Sequence, residues 1–151
     1  MKRDSRLSST LHAVLHMAMH DAPMTSAALA SCMQTNPVVV RRTMAGLREA
    51  GIVRSEKGHG GGWTIARDLS AVTLRDIHEA LGSPALLSAR LHLEQPDCLV
   101  EQAVNQRLTS AFQEAEALLV GRLGSITLAA LADDFREGLS TCKGKKDTND
   151  L

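Results

Sequence analysis

Residues 58 to 62 read Gly-His-Gly-Gly-Gly, four glycines in five positions, and the segments on either side suit β-strands. Upstream lies Ile52-Val53-Arg54-Ser55 and downstream Trp63-Thr64-Ile65-Ala66-Arg67. A glycine cluster costs backbone entropy on folding, so it serves where positive φ angles or an unobstructed backbone are required. A Walker-type phosphate loop would continue through Gly-Lys-Ser/Thr into a helix, and a dinucleotide fingerprint would place its third glycine where Trp63 stands, again before a helix. Here the glycines lead into a strand. They predict the tip of a two-stranded hairpin, with Lys57 and His59 projecting from a bare backbone that a sugar-phosphate chain can approach.

The segment before the hairpin is helical in pattern. Leu11, Val14, Leu15, Ala18 and Met19 recur at steps of three and four and make one stripe of an amphipathic helix over Ser8 to His20. Its other face carries His12, His16 and His20. Three histidines along a straight helix do not converge on one ion, although an i, i+4 pair can, and no carboxylate completes a recognised motif, so a solvated or interfacial face is the plainer expectation. Thr25 or Ser26 then caps a short helix through Cys32. Asn36-Pro37 caps a third helix with Pro at its first position, where a missing N–H costs nothing. This helix carries Val38, Val39, Val40, Arg41 and Arg42 and ends at Gly51. Helix, short turn, helix is the unit that presents a recognition helix to the major groove. Followed at once by a hairpin, it predicts a winged helix, and Arg41 and Arg42, which alone read equally as a solvated pair, become DNA-contact candidates.

Charge supports this division. The chain is formally neutral, yet residues 1 to 67 hold nine Lys or Arg against four acidic residues, and residues 68 to 151 hold eight against thirteen. A balance of +5 on one side and −5 on the other is what an electrostatic footprint on one domain leaves behind. With one Trp, two Phe and no Tyr, the chain lacks the stacking platforms of single-strand binders. Cys32, Cys98 and Cys142 form no C-x-x-C pair, so neither a disulfide framework nor a structural zinc site is indicated, and a reducing, cytoplasmic setting is expected. No apolar run has the length or purity of a signal peptide or membrane span.

The segment LREAGIVRSEKGHGGGWTIARDLSAVTLRDIHEALG, residues 47 to 82, resembles the Rrf2 family of bacterial transcriptional regulators, and TNPVVVRRTMAGL resembles the branch with Asn-Pro at the start of this helix. The likeness extends from Arg6 to about Phe135. It implies a homodimer on double-stranded DNA carrying a palindromic operator, with recognition helices in the major groove and wings in the flanking minor grooves. It places base reading at Asn36, Val38, Arg41 and neighbouring Arg42, and wing contacts at Lys57, Gly58, His59 and Gly60. Arg41 stands where some members carry an acidic residue, so their operator preference does not transfer. Cluster-binding relatives hold an iron–sulfur centre with three cysteines before the long helix; only Cys98 of that set is present, and no cofactor or metal is expected.

In the second half, Thr73-Leu74-Arg75-Asp76 is a capping-box variant opening a helix toward Leu81-Gly82. A long helix is expected from Leu99 to about Gly121. Its apolar positions Val104, Leu108, Ala111, Ala115 and Leu118 have the spacing of a coiled-coil seam, which indicates dimerisation or, failing that, intramolecular packing. A short helix from Thr127 to Phe135 precedes a mobile tail. The expected organisation is a winged helix-turn-helix over 1–82, a connecting or sensor loop over 83–98, dimerisation helices over 99–135 and a flexible tail over 136–151, mainly α with a small β-hairpin wing. Cys98 is a candidate redox sensor because the start of a helix favours reactive thiols, with Asp97 and Glu101 opposing through like charge. The expected function is a cytoplasmic, homodimeric transcriptional repressor that responds to thiol oxidation, to a small-molecule effector, or to neither. The competing expectation is a winged-helix protein-interaction module without DNA binding. No nucleophile, base and orienting group can be assembled into an active site, so an enzyme is not expected.

Overall fold

The computed structural model describes residues 5–87 and 97–146, with side chains as far as residue 139. Six helices and one hairpin appear among them, in the order α1 (Arg6–Met19), α2 (Ser26–Met33), α3 (Pro37–Glu49), β1 (Val53–Glu56), β2 (Gly62–Ile65), α4 (Leu74–Ala80), α5 (Leu99–Leu123) and α6 (Leu128–Lys146), with a 3-10 turn at Leu69–Ala71 before α4. This is the mainly helical winged fold expected from the pattern.

The caps written in the sequence form as local chemistry dictates. Thr25 accepts from the Ala28 N–H at 3.1 Å to open α2, and Asn36 accepts from the Val39 N–H at 3.1 Å to open α3, with Pro37 in its first turn. The end of α3 is a Schellman motif: Gly51 adopts φ +73°, its N–H reaches the Arg48 carbonyl at 2.9 Å, and the Ile52 N–H reaches the Leu47 carbonyl at 3.0 Å. The end of α2 uses the same geometry with Gln34 at φ 52°, a left-handed position held without glycine. Thr73 and Asp76 close the reciprocal capping box of α4. Beyond the hairpin, the Asp68 carboxylate accepts from the Ser70 hydroxyl and backbone N–H, which hold its pKa below the usual value.

One apolar core joins these elements. Val14, Leu29, Val40, Met44, Leu47, Ile52, Val72, Ile77 and Leu128 are all buried in it. On α3 the buried positions Val40, Met44 and Leu47 fall on one face, and Val38, Arg41 and Arg42 are left on the other. The hairpin is antiparallel, pairing Val53 with Ile65 and Glu56 with Gly62. It does not stand free: an isolated bridge pairs Met24 with Trp63, the Met24 N–H donating to Trp63 at 3.0 Å and the Trp63 N–H to Met24 at 2.8 Å. The segment before α2 is thus a one-residue third strand of the wing.

Gly62 makes that bridge possible. A Cβ there would lie 2.5 Å from the Met24 carbonyl oxygen, closer than any side chain tolerates. Gly62→Ala is therefore expected to lower stability by about 1–3 kcal/mol, as for other overpacked sites, with a matching fall in the midpoint of a urea transition.

The second half departs from the expected layout at its end. The final helix runs on to Lys146, past the expected end at Phe135 and into the polar segment expected to be a tail; an exposed helix tolerates glycines at about 1 kcal/mol each, and Arg136 pairs with Asp133 at 2.9 Å on its surface. The first turn of α6 also belongs to the winged core: Leu128 and Ala132 are buried, the Leu128 N–H donates to Val72 at 2.8 Å, and the Leu74 N–H donates to Ile126 at 2.9 Å. In the connection, buried His78 donates from Nε2 to the Pro84 carbonyl at 2.9 Å, and the Leu86 N–H reaches Glu116 on α5 at 2.7 Å. Residues 88–96 of the expected sensor loop lie outside the described residues.

Candidate nucleic-acid interface

Arg41 of α3 and both strands of the hairpin border one cleft. This cleft, about 420 Å³, is lined by Thr25, Ser26, Arg41, Ser55, Glu56, Gly61, Gly62 and Trp63 among others, so α2, α3 and the wing all contribute to it. Val38 is 61% exposed at the start of α3, and Val39 beside it is 39% exposed. Arg41 and Arg42 are exposed and have no ion-pair partner among the described residues. Their guanidinium forks are available for phosphate or for the paired acceptors of guanine.

Asn36 is also exposed but only half available. Its side-chain oxygen is committed to the cap of α3, which leaves the amide NH₂ as the group that can donate outward. A base it read would have to present an acceptor.

The wing tip behaves as its glycines require. Lys57, Gly58, His59 and Gly60 are all exposed. Gly58 at φ +93° and Gly60 at φ +74° take left-handed conformations, and the Gly61 N–H closes the turn onto the Gly58 carbonyl at 3.0 Å. A β-branched residue at either position would strain that turn.

Three contributions were not apparent from sequence. Arg54 is exposed on β1 and lies 3.7 Å from Glu56, partly offsetting the one carboxylate in the cleft. Trp63 is buried and donates from Nε1 to the Ser26 hydroxyl at 3.1 Å, while the Arg48 guanidinium lies 5.9 Å over its ring. These contacts lock the wing to both α2 and α3. The position of Arg54 in a strand of the basic half was a usable signal; the pairing of Ser26 with Trp63, 37 residues apart, had none.

Cys98 is partly exposed immediately before α5 and makes no cap hydrogen bond. Cys32 sits on α2, packed against the helix-turn-helix core, and the side chain of Cys142 lies outside the described residues.

Comparison with known proteins places the chain among regulators. Residues 3–134 match the family described as Rrf2, iron-dependent transcriptional regulator. YwnA of Bacillus subtilis, a candidate HTH-type transcriptional regulator, is 28% identical over 125 residues, which is 83% of this chain and 92% of that protein. A crystal structure described as that of a candidate DNA-binding protein is 26% identical with a TM-score of 0.63, over 84% of this chain and 98% of the other. IscR of T. potens shares the fold at 24% identity and a TM-score of 0.60, over 91% and 90% of the two chains. The iron in the family description raises the question of a bound cluster. Among the described residues no group of three or more His, Cys, Asp or Glu is placed to hold a metal, and the two described cysteine side chains, Cys32 and Cys98, are free thiols.

Proposed function

The chain belongs to the Rrf2 family and is a DNA-binding transcriptional regulator, and from that premise we propose that it acts as a homodimeric repressor on an inverted-repeat operator. The observation that carries the dimer is α5: none of its 25 residues is buried. Its expected seam, Val104, Leu108, Ala111, Ala115 and Leu118, is exposed throughout, while the less apolar row Glu101, Asn105, Thr109, Phe112 and Glu116 is turned partly inward. A helix of that length is about 37 Å long at 1.5 Å per residue, and an apolar stripe of such extent calls for a partner helix. A second copy supplies the matching stripe and sets two recognition helices at a fixed separation.

Within each half-site, Val38, Arg41, Arg42 and the free amide of Asn36 face the major groove, and Lys57 to Gly60 follow the adjacent minor groove. Occupancy of promoter DNA by the dimer then excludes polymerase. A signal at Cys98 or in the 83–98 connection, such as thiol oxidation or a small-molecule effector, would shift the population between dimers whose recognition helices fit the operator spacing and dimers whose helices do not. The ties from His78 to Pro84 and from Leu86 to Glu116 support this, because they connect α4 and α5 to the start of that segment. The redox role of Cys98 would be established if oxidant released the operator and Cys98→Ser abolished the response. No helix among the described residues is long and apolar enough to cross a membrane; a cytoplasmic site of action belongs to the proposed regulatory role.

The test is selection of DNA from random duplexes by the purified protein. An inverted repeat with half-sites one helical turn or a multiple apart is the expected enrichment; a single unrepeated half-site would overturn the dimer, and no enrichment the operator. Arg41, Arg42 and Lys57 from two chains neutralise about six phosphates if all engage the backbone, so the logarithm of affinity should fall with the logarithm of salt with a slope near −5. If both Arg41 side chains read bases, the slope moves toward −4, which binding isotherms across a salt series resolve.

A further inference from the structure

We propose that His12 and His16 form a two-imidazole chelate for a transition-metal ion, a site separate from the DNA-reading surface and independent of the regulatory reading. The two side chains sit one helical turn apart on the exposed face of α1, opposite the buried residues Ala13, Val14 and Met17. Their rings are nearly parallel, with centroids 4.7 Å apart and planes 15° from each other, yet the Nε2 atoms approach to 2.9 Å. The ring tips therefore converge more closely than the ring centres do.

That separation has a chemical reading. Two nitrogens at about 2.0–2.1 Å from one ion lie about 2.9 Å apart when they subtend a right angle and about 3.3–3.4 Å apart when they subtend a tetrahedral one. The pair thus matches two adjacent positions of a square-planar or octahedral ion, the geometry that Ni(II) and Cu(II) favour with imidazole donors. Without metal, one ring donates its Nε2–H to the lone pair of the other. On binding, the donor ring moves to its Nδ1–H tautomer and both Nε2 lone pairs face the ion, so no net proton leaves two neutral imidazoles.

The surroundings leave room for the remaining ligands. His12 and His16 border a groove of about 470 Å³ between α1 and α6, whose other lining residues are Ser8, Leu11, Leu15, Met19, Leu131 and Phe135. None of these is a carboxylate, so the other coordination positions fall to water. His20 does not take part: it follows the last residue of the helix with φ −99° and ψ 133°, so the chain has already turned out of the helical row.

The test is calorimetric titration of the untagged, full-length protein with Ni(II), alongside His12→Ala, His16→Ala and His20→Ala. Both rings are exposed, so the substitutions leave the core intact, which thermal melts of each variant verify. The expected result is a Ni(II) site in the wild type that weakens at least about tenfold in the first two variants, since losing a direct ligand costs no less than losing one of its supporting groups, and that is unchanged in the third. Failure of the wild type to bind Ni(II) in the submillimolar range would overturn the site. So would unchanged affinity on loss of His12 or His16, or an equal loss in His20→Ala, which would place the ion on His16 and His20 instead.

Discussion

Arg41→Ala is expected to weaken binding to the selected operator by roughly 30-fold at least, and by up to about 10⁴-fold, because the proposed dimer would lose two base contacts worth about 1–3 kcal/mol apiece. The side chain is exposed, at the fifth residue of α3, in the cleft shared with the wing. Nothing in the core depends on it, so folding stability should hold. The informative comparison is specificity. If Arg41 reads guanine, affinity for scrambled duplex should fall far less than affinity for the operator, and Arg41→Lys, which keeps the charge but not the fork, should recover only part of the loss. Fluorescence anisotropy with both duplexes checks this; equal losses on the two would make Arg41 a backbone contact and leave base reading to its neighbours.

The second large effect is expected on α5. Val104 and Leu108 are 51% and 43% exposed in the single chain and lie one turn apart on the proposed seam. Replacing both with Glu places four carboxylates in the interface of a dimer while removing nothing from the core of either subunit. Sedimentation should show a monomer, and thermal melting at low protein concentration should show the winged core intact. Operator affinity should fall by about 10²–10⁴, the advantage that joining two binding modules ordinarily confers. A variant that remained dimeric would move the interface to the groove between α1 and α6, where Phe135 is 42% exposed.

Most of the reading head was legible before the fold was known, because its boundaries are fixed by local chemistry. Asn36 with Pro37, Gly51, and Thr73 with Asp76 each decide a helix end by which hydrogen bonds the nearest side chains can make. The glycine run fixed the hairpin for a similar reason, although the observed strands, Val53–Glu56 and Gly62–Ile65, sit slightly off the expected segments. The apolar period of α5 was legible, and all five of its positions are exposed. What escaped was long range. The bridge between Met24 and Trp63, the contact of Trp63 with Ser26, and the entry of Leu128 into the winged core join residues far apart in the chain. No local propensity reports such contacts. Gln34 escaped for the opposite reason: its left-handed turn is a local cost that the packing of α2 on α3 sustains, and composition gives no hint of it.

The pairing of Met24 with Trp63 fastens the hairpin to the strand-like entry of α2, and Trp63 in turn is held by Ser26. Hand and thumb of the proposed reading head therefore share a single wrist, so that moving one against the double helix would carry the other with it. In the proposed dimer, a stimulus acting away from this junction would leave each protomer's choice of bases untouched and change only how far apart the two heads are carried, so the vocabulary of the operator would belong to the side chains and its grammar to the long helix.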